Sequence, residues 1–199
     1  MKLIINGKKS EVPPEEFKTL GELIEKIKKD QRSQVLKSVV LDGEEIPLSR
    51  LEEFSGITLK EDTTVELIFT SLRSFLLEAL EEVISYIDRV MELLPKVSNS
   101  VISGSPEGYR SINDLAEGLN AMETLRVDTI KISGLRPEEL GLIDREKDVV
   151  KILKNFVEAL NNKDVVEISD MIESDIPKVF SYYKEFFTRA KEILEMKES

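Results

Sequence analysis

The 199-residue chain contains no cysteine, no histidine and no tryptophan. Without cysteine it can form no disulfide, no thiolate zinc or iron–sulfur site and no thiol nucleophile. Without histidine it offers no imidazole base near neutral pH and no Ser-His-Asp triad. The composition still allows a binding site in which carboxylates hold a hard cation. The sequence also lacks a Walker pattern and a dinucleotide-binding glycine fingerprint, so no cofactor is predicted.

Basic residues are outnumbered: 28 Lys and Arg stand against 39 Asp and Glu, a net charge of −11. Binding to a phosphate backbone needs clustered basic side chains. The densest basic run, residues 26–32, is interleaved with acidic residues and is typical of a solvated helix face. We therefore expect no nucleic-acid partner.

Long apolar runs are absent too. No segment approaches the ~20 apolar residues that cross a bilayer. The apolar start, Leu3–Ile5, is shorter than the ~7–15 residues of a signal-peptide core. With 41% hydrophobic and 34% charged residues, the composition is typical of a folded, soluble protein. We expect no membrane association and, by default, a cytoplasmic location.

The sequence pattern of residues 1–71 predicts several short strands and one helix. The turn dipeptides Asn6-Gly7 and Asp42-Gly43 predict two hairpins, because both tolerate positive φ. A helix should begin after Thr19, and Pro13-Pro14 should end the second strand. The predicted strands are 2–5, 8–12, 39–41, 45–46 and 64–69.

This order resembles the small ubiquitin-like sulfur carriers of thiamin and molybdopterin biosynthesis. The resemblance is carried by Met1–Gly7, Thr19–Ile24, Val39–Pro47 and Leu59–Leu67. It implies a β-grasp fold and a binding surface. Sulfur carriers end in a free Gly-Gly whose carboxylate is adenylated. Here the last strand continues into Ser71-Leu72-Arg73-Ser74, so the resemblance does not extend to carrier chemistry.

Residues 72–199 predict helices. Apolar residues at steps of three and four predict a first helix from Leu72 that Pro95 closes. The segment Val97–Ser105 fits a helix or a loop. Three further helices are predicted, from Pro106 to Ser133, from Asp144 to Leu160, and from Val165 to Ile193 with a kink near Pro177. The segment Asp170–Pro177 resembles a stretch of uncharacterised bacterial helical proteins.

The predicted fold class is therefore α+β. A ubiquitin-like β-grasp domain, residues 1–71, precedes an all-α antiparallel bundle of about four helices, residues 72–199.

The aromatic residues between Phe180 and Phe187 form the densest such cluster in the chain. Because these positions spread around most of a helix, not all of them can face one core. One interpretation places Tyr182 and Phe187 at the core margin. The other makes Tyr182 and Phe187 an exposed, partner-binding patch.

Charged residues in helical contexts offer few further candidates. Arg126 lies beside an apolar stripe and predicts a structural ion pair, with Asp88 or Glu123 as possible partners. The adjacent acidic pairs could bind a cation or act as acid and base only if they converge in space. These pairs are Glu15-Glu16, Glu44-Glu45, Glu52-Glu53, Glu81-Glu82 and Glu138-Glu139.

These observations favour a non-catalytic protein-binding or scaffold module with an unknown protein partner. We predict no catalytic, cofactor or metal residues. Alternatives are an oligomeric structural helical protein, in which the long helices self-associate, and an enzyme that uses carboxylates.

Overall fold

The computed structural model describes residues 1–11 and 16–196, and the chain divides into two units, Met1–Phe75 and Leu76–Ser199. The first unit holds a five-stranded mixed sheet in the order β2-β1-β5-β3-β4. The sheet strands β1 and β5 are parallel, and the other pairs are antiparallel. The elements are β1 Lys2–Ile5, β2 Lys8–Glu11, α1 Leu20–Asp30, β3 Gln34–Leu41, β4 Glu44–Ile46, a 3-10 helix Leu48–Arg50, α2 Leu51–Phe54 and β5 Thr64–Ser71.

Both predicted hairpin turns are confirmed. Asn6 and Gly7 have φ of 48° and 77°, and Asp42 and Gly43 have φ of 50° and 88°. Each turn is also tied to β5, because the Asn6 Oδ1 atom accepts the N–H of Phe69 and the Asp42 Oδ1 atom that of Thr64, both at 2.7 Å. The predicted end of the second strand, Val12 with Pro13-Pro14, lies outside the described residues.

The core of the first unit lies between the sheet and α1. Alternate strand residues such as Leu3, Val39 and Leu67 are buried with Leu20 and Leu23 of α1. The N-terminus of α1 is capped by Thr19, whose hydroxyl accepts the N–H of Glu22, which confirms the predicted helix start. Because side chains alternate along a strand, the residues between them lie on the outer face of the sheet.

The second unit holds more helices than predicted. Within residues 72–196 the structure has six helices instead of about four. They are α3 Leu72–Ile102, α4 Pro106–Ser133, a 3-10 helix Pro137–Leu140, α5 Ile143–Asn162, α6 Val165–Ser174 and α7 Ile176–Met196.

The predicted fourth helix is two helices, and Pro177 explains the difference. The helix is interrupted at Asp175, between the end of α6 and the start of α7. The carbonyl of Asp175 accepts the N–H groups of Lys178 and Val179. Pro177 lies in the first turn of α7, where its missing N–H needs no partner. The predicted kink is therefore a complete interruption.

The prediction that Pro95 closes the first helix is wrong. Pro95 lies inside α3, and the segment from Val97 is helical as far as Ile102. The helix continues because Ser98 and Val101 are buried on its inner side beyond the proline, as Leu94 is just before it. Tertiary burial thus outweighs the one hydrogen bond that Pro95 removes.

Helix α7 lies at the centre of the second unit, packed against α4, α5 and α6. It buries nine residues along its length. The ion pairs Glu81–Lys191 and Asp88–Lys184 join α3 to α7. Since residue numbers rise along one helix as they fall along the other, α3 and α7 are antiparallel.

Candidate functional site

Arg126 of α4 is the centre of a polar cluster in the helical unit. Its Nε and Nη2 atoms donate to the two carboxylate oxygens of Glu123, at 2.8 and 2.7 Å. Its Nη1 atom lies 3.3 Å from Oε1 of Glu146 on α5. The guanidinium carbon also lies 5.9 Å from the centre of the Phe186 ring on α7. Arg126 therefore links three helices, and the predicted structural ion pair is confirmed with Glu123.

The cluster perturbs the ionisation of its members. The hydrogen bonds from Arg126 lower the pKa of Glu123, although burial opposes them. The hydrogen-bonded Glu123 raises the pKa of Arg126. Burial, followed by the charge of Glu123, raises the pKa of Tyr183, whose hydroxyl donates to Glu123 at 3.0 Å. Burial also raises the pKa of Tyr182. Each shift favours the ionisation states that hold the helices together.

A cleft of about 250 Å³ opens beside this cluster. Its walls come from α4 and α5, and Tyr182 and Tyr183 of α7 line it as well. Apart from the charged groups the lining is largely apolar, with Leu119, Val149 and Leu153 among the residues. The cleft, referred to below as the ion-pair cleft, is therefore an apolar space with a charged end.

A second cleft, of about 350 Å³, lies where α4 and α6 begin and α5 ends. We call it the lysine cleft, because Lys163 lines it. Gly108 explains how α4 starts here: a Cβ at this position would lie 2.5 Å from the carbonyl oxygen of Ser100. Only glycine lets the first turn of α4 approach the end of α3 so closely. Ser105 caps α4 by accepting the N–H of Gly108 at 3.1 Å.

A buried hydroxyl pair joins α3 to α6. The Oγ atoms of Ser98 and Ser169 are 2.6 Å apart, and Ser98 donates to Oε1 of Glu173 at 2.7 Å. Two buried hydroxyls satisfied by each other and by a carboxylate specify which helices pair. The sequence pattern did not reveal this group, since lone serines in helices carry no periodic signal.

The structure places both predicted partner-binding residues in the core. Tyr182 is 3% exposed and Phe187 is 0% exposed. Neither forms an exposed patch, which corrects that interpretation. The reason is the central position of α7: helices cover it on several sides, so residues around most of its circumference become core. Tyr182 nevertheless lines the ion-pair cleft.

Within residues 1–11 and 16–196, the acidic pairs do not gather into a metal site. Among the described residues, no group of three or more Asp and Glu side chains is placed to hold a metal ion. Glu15 lies outside these residues. Glu53 pairs instead with Arg50, and Glu139 with Arg136, both within one turn of helix.

No helix in the described ranges combines the length and the apolar character needed to span a membrane.

The fold and its clefts define a two-unit α+β protein, a mixed sheet followed by a helical region. Residues 1–71 match the family described as the TP0873 N-terminal domain. The chain belongs to the family of the domain of unknown function DUF8042, which matches residues 78–186. It is also 24% identical over 187 residues to an uncharacterized protein of Treponema pallidum (strain Nichols), covering 90% of this chain and 92% of that protein.

These matches carry no assigned activity. They include no sulfur-carrier family, so the ubiquitin-like resemblance of residues 1–71 stays a prediction. No solved structure matches the chain.

Proposed function

We propose that this protein is a non-catalytic protein-binding module whose first unit is a ubiquitin-like β-grasp domain. The strand order β2-β1-β5-β3-β4, with β1 and β5 parallel and α1 against one face, supports the fold. The groups with perturbed pKa values support a non-catalytic role, because they are partners of one another in an ion-pair cluster that links helices.

The outer face of the sheet is the observation that carries the proposal. Ile4, Val40 and Ile68 alternate with core residues and so point away from α1. The register sets Ile4 and Val40 on either side of Glu66 in one row across the three central strands. The solvent face of such a sheet is normally polar, so apolar residues on it offer a surface that a partner could cover, which supports the proposal.

The sheet edges are less suited to the partner. The edge strands β2 and β4 have only four and three residues. Short edge strands hinder strand addition. We therefore place the partner on the outer face rather than at an edge.

Affinity purification from the native host tests this proposal. Ile68 and Leu48 are matched, with exposures of 37% and 39%, but Leu48 lies in the 3-10 helix and not in the sheet. We expect a stoichiometric partner protein with the wild type and with Leu48→Asp, and about tenfold less of it with Ile68→Asp. Circular dichroism should show both variants folded. Finding no stoichiometric partner, or equal recovery by both variants, would contradict the proposal.

An oligomeric structural role is the second candidate, and α5 favours it. Ile143, Val150 and Val157 are exposed and recur every seven residues, so they form one stripe along α5. Helices associate through two apolar positions in each heptad, and these three residues supply one of them. Light scattering would support this role if the wild type were a dimer at high concentration and Val157→Gln a monomer. A carboxylate-based enzyme has no comparable observation in its favour.

A further inference from the structure

Helix α3 carries an apolar stripe beside the residues that it turns toward the helical core. Ala79, Tyr86 and Leu93 recur every seven residues, so they lie on one side of the helix. Ala79 is half-buried, whereas Tyr86 and Leu93 are exposed. Val83 and Val90, which are partly buried against the core, supply the second apolar position of each heptad. We call Ala79, Tyr86 and Leu93 the α3 stripe.

A line of charged side chains borders the α3 stripe on the side away from Val83. Glu82, Arg89 and Lys96 also recur every seven residues, and all three are exposed. Within the described part of the chain, none of these three side chains takes part in an ion pair or a hydrogen bond. Glu78, one turn before Glu82, is exposed as well. The line is therefore acidic in its first half and basic in its second half.

The other acidic groups near the α3 stripe lie on different sides of the helix. Glu81 and Asp88 form ion pairs with lysines of α7. Asp114 and Glu117 of α4 line a cleft together with Val83, across the stripe from the charged line. Glu92 lies about 60° farther from the stripe than Arg89, because it comes three residues later. The opposite charges of the line therefore border the stripe directly.

This arrangement is complementary to itself when two α3 helices run antiparallel. Ala79 comes seven residues before Tyr86, and Leu93 comes seven after it. Two copies that meet at Tyr86 therefore set the small side chain of Ala79 against the large one of Leu93. Glu82 comes four residues before Tyr86 and Arg89 three after it, so the two charges meet to within about 1.5 Å along the axis. A parallel pair would instead set each charge against the same charge.

We infer that the α3 stripe binds a second copy of the chain, with the two α3 helices antiparallel about a twofold axis near Tyr86. The opposite charges in the two halves of the charged line, and the matching of Ala79 with Leu93, select this occupant and this orientation. The inference goes beyond the proposed partner surface on the sheet, and it uses a different helix from the exposed apolar residues of α5.

Charge reversal tests the inference. Sedimentation velocity of the full chain over a concentration series should show the wild type as a dimer of the 22.7-kDa chain at high concentration. Glu82→Arg and Arg89→Glu should each weaken the dimer about tenfold, because each places like charges together on both sides of the twofold axis. The double variant should dimerise as the wild type does. An equimolar mixture of the two single variants should form a mixed dimer.

An apolar position tests the stripe itself. Leu93→Gln should weaken the dimer about tenfold. Ile102→Gln is the matched control, since Ile102 and Leu93 are 58% and 53% exposed on the same helix. Ile102 comes nine residues after Leu93, which is about two and a half turns, so it lies on the opposite side of α3. Ile68→Asp should leave the dimer unchanged, so this test and that of the outer sheet face can fail separately.

Several results would overturn the inference. A wild type that stays monomeric at every concentration would leave the α3 stripe to a different protein. A dimer that neither single charge reversal weakens, or that the double variant does not restore, would show that Glu82 and Arg89 are not partners. If Val157→Gln abolished the dimer and Leu93→Gln did not, α5 would be the contact instead.

Discussion

At the scale of single residues, Arg126 shows how a charge inside a helical region is stabilised. Its side chain is only 14% exposed, and a charge so far removed from water is costly unless it is paired. A partner three residues away on α4 and a second on α5 meet this need. The sequence predicted the ion pair, and it included Glu123 among the possible partners. It could not predict Glu146, because that contact depends on how α5 packs beside α4.

The Glu123 carboxylate should make the stability of the protein decrease as the pH falls. Its pKa is lowered in the folded chain, so the unfolded chain takes up a proton first as the pH falls. The stabilisation is therefore complete above the ordinary carboxyl pKa of 4.5 and is lost as the pH drops through the lower folded value. We expect Glu123→Gln to cost about 1 kcal/mol or less at pH 7, since the carboxylate is partly solvated, and progressively less as the pH falls below 4.5.

Urea unfolding across this pH range measures the effect. Glu158→Gln, an exposed change on α5, serves as the control and should leave the pH dependence as in the wild type. If the free energies of unfolding of the wild type and Glu123→Gln differed by the same amount at every pH, the ion pair would not contribute to stability through the ionisation of Glu123.

At the scale of elements, the helices differ from their predictions where proline occurs. Pro95 and Pro177 both lie in apolar stripes of similar period. Helix α3 continues through Pro95, whereas one helix ends and the next begins just before Pro177. Local propensity favours a new helix start at Pro177 and disfavours a continuous helix at Pro95, so only α3 needs the burial of neighbouring turns to offset its proline. The apolar periodicity identified the helical segments of the sequence, but it did not determine the number of helices.

Replacing Pro95 should strengthen α3. Pro95→Ala restores an N–H donor inside the helix and removes a ring that crowds the preceding turn. The gain is partly offset, because proline also restricts the unfolded chain. We expect the free energy of unfolding to rise by about 1–2 kcal/mol in urea titrations. Lys96→Ala, at the neighbouring exposed position, should change it by less than about 0.5 kcal/mol. Destabilisation by Pro95→Ala would mean that the proline has a packing role.

At the scale of the whole molecule, two separate cores underlie the two units. One cluster of buried residues lies between the sheet and α1, and the other lies among the helices. All four tyrosines of the chain fall in the second unit. Tyrosine fluorescence therefore reports on the helical unit alone, which allows the two cores to be followed separately.

Core substitutions should act on one unit at a time. Leu67→Ala removes a fully buried side chain of the sheet and should cost about 2–5 kcal/mol. We expect faster hydrogen exchange in residues 20–30, measured by mass spectrometry, with no change in the urea midpoint of tyrosine fluorescence. Phe180→Ala, in the helical core, should lower that midpoint. A shift of the fluorescence midpoint by Leu67→Ala would show that the cores unfold together.

The amino-acid pattern alone specified the local structure of this protein. The turns at Asn6-Gly7 and Asp42-Gly43 and the helix start after Thr19 depend on neighbours in the chain, and each formed as predicted. Burial depends on contacts between distant segments. Because α7 is packed against α4, α5 and α6, Tyr182 and Phe187 became core, and the ion-pair cleft formed beside Arg126. The apolar pattern of a single helix does not show which helices pack against it. The positions of the clefts therefore depend on tertiary packing.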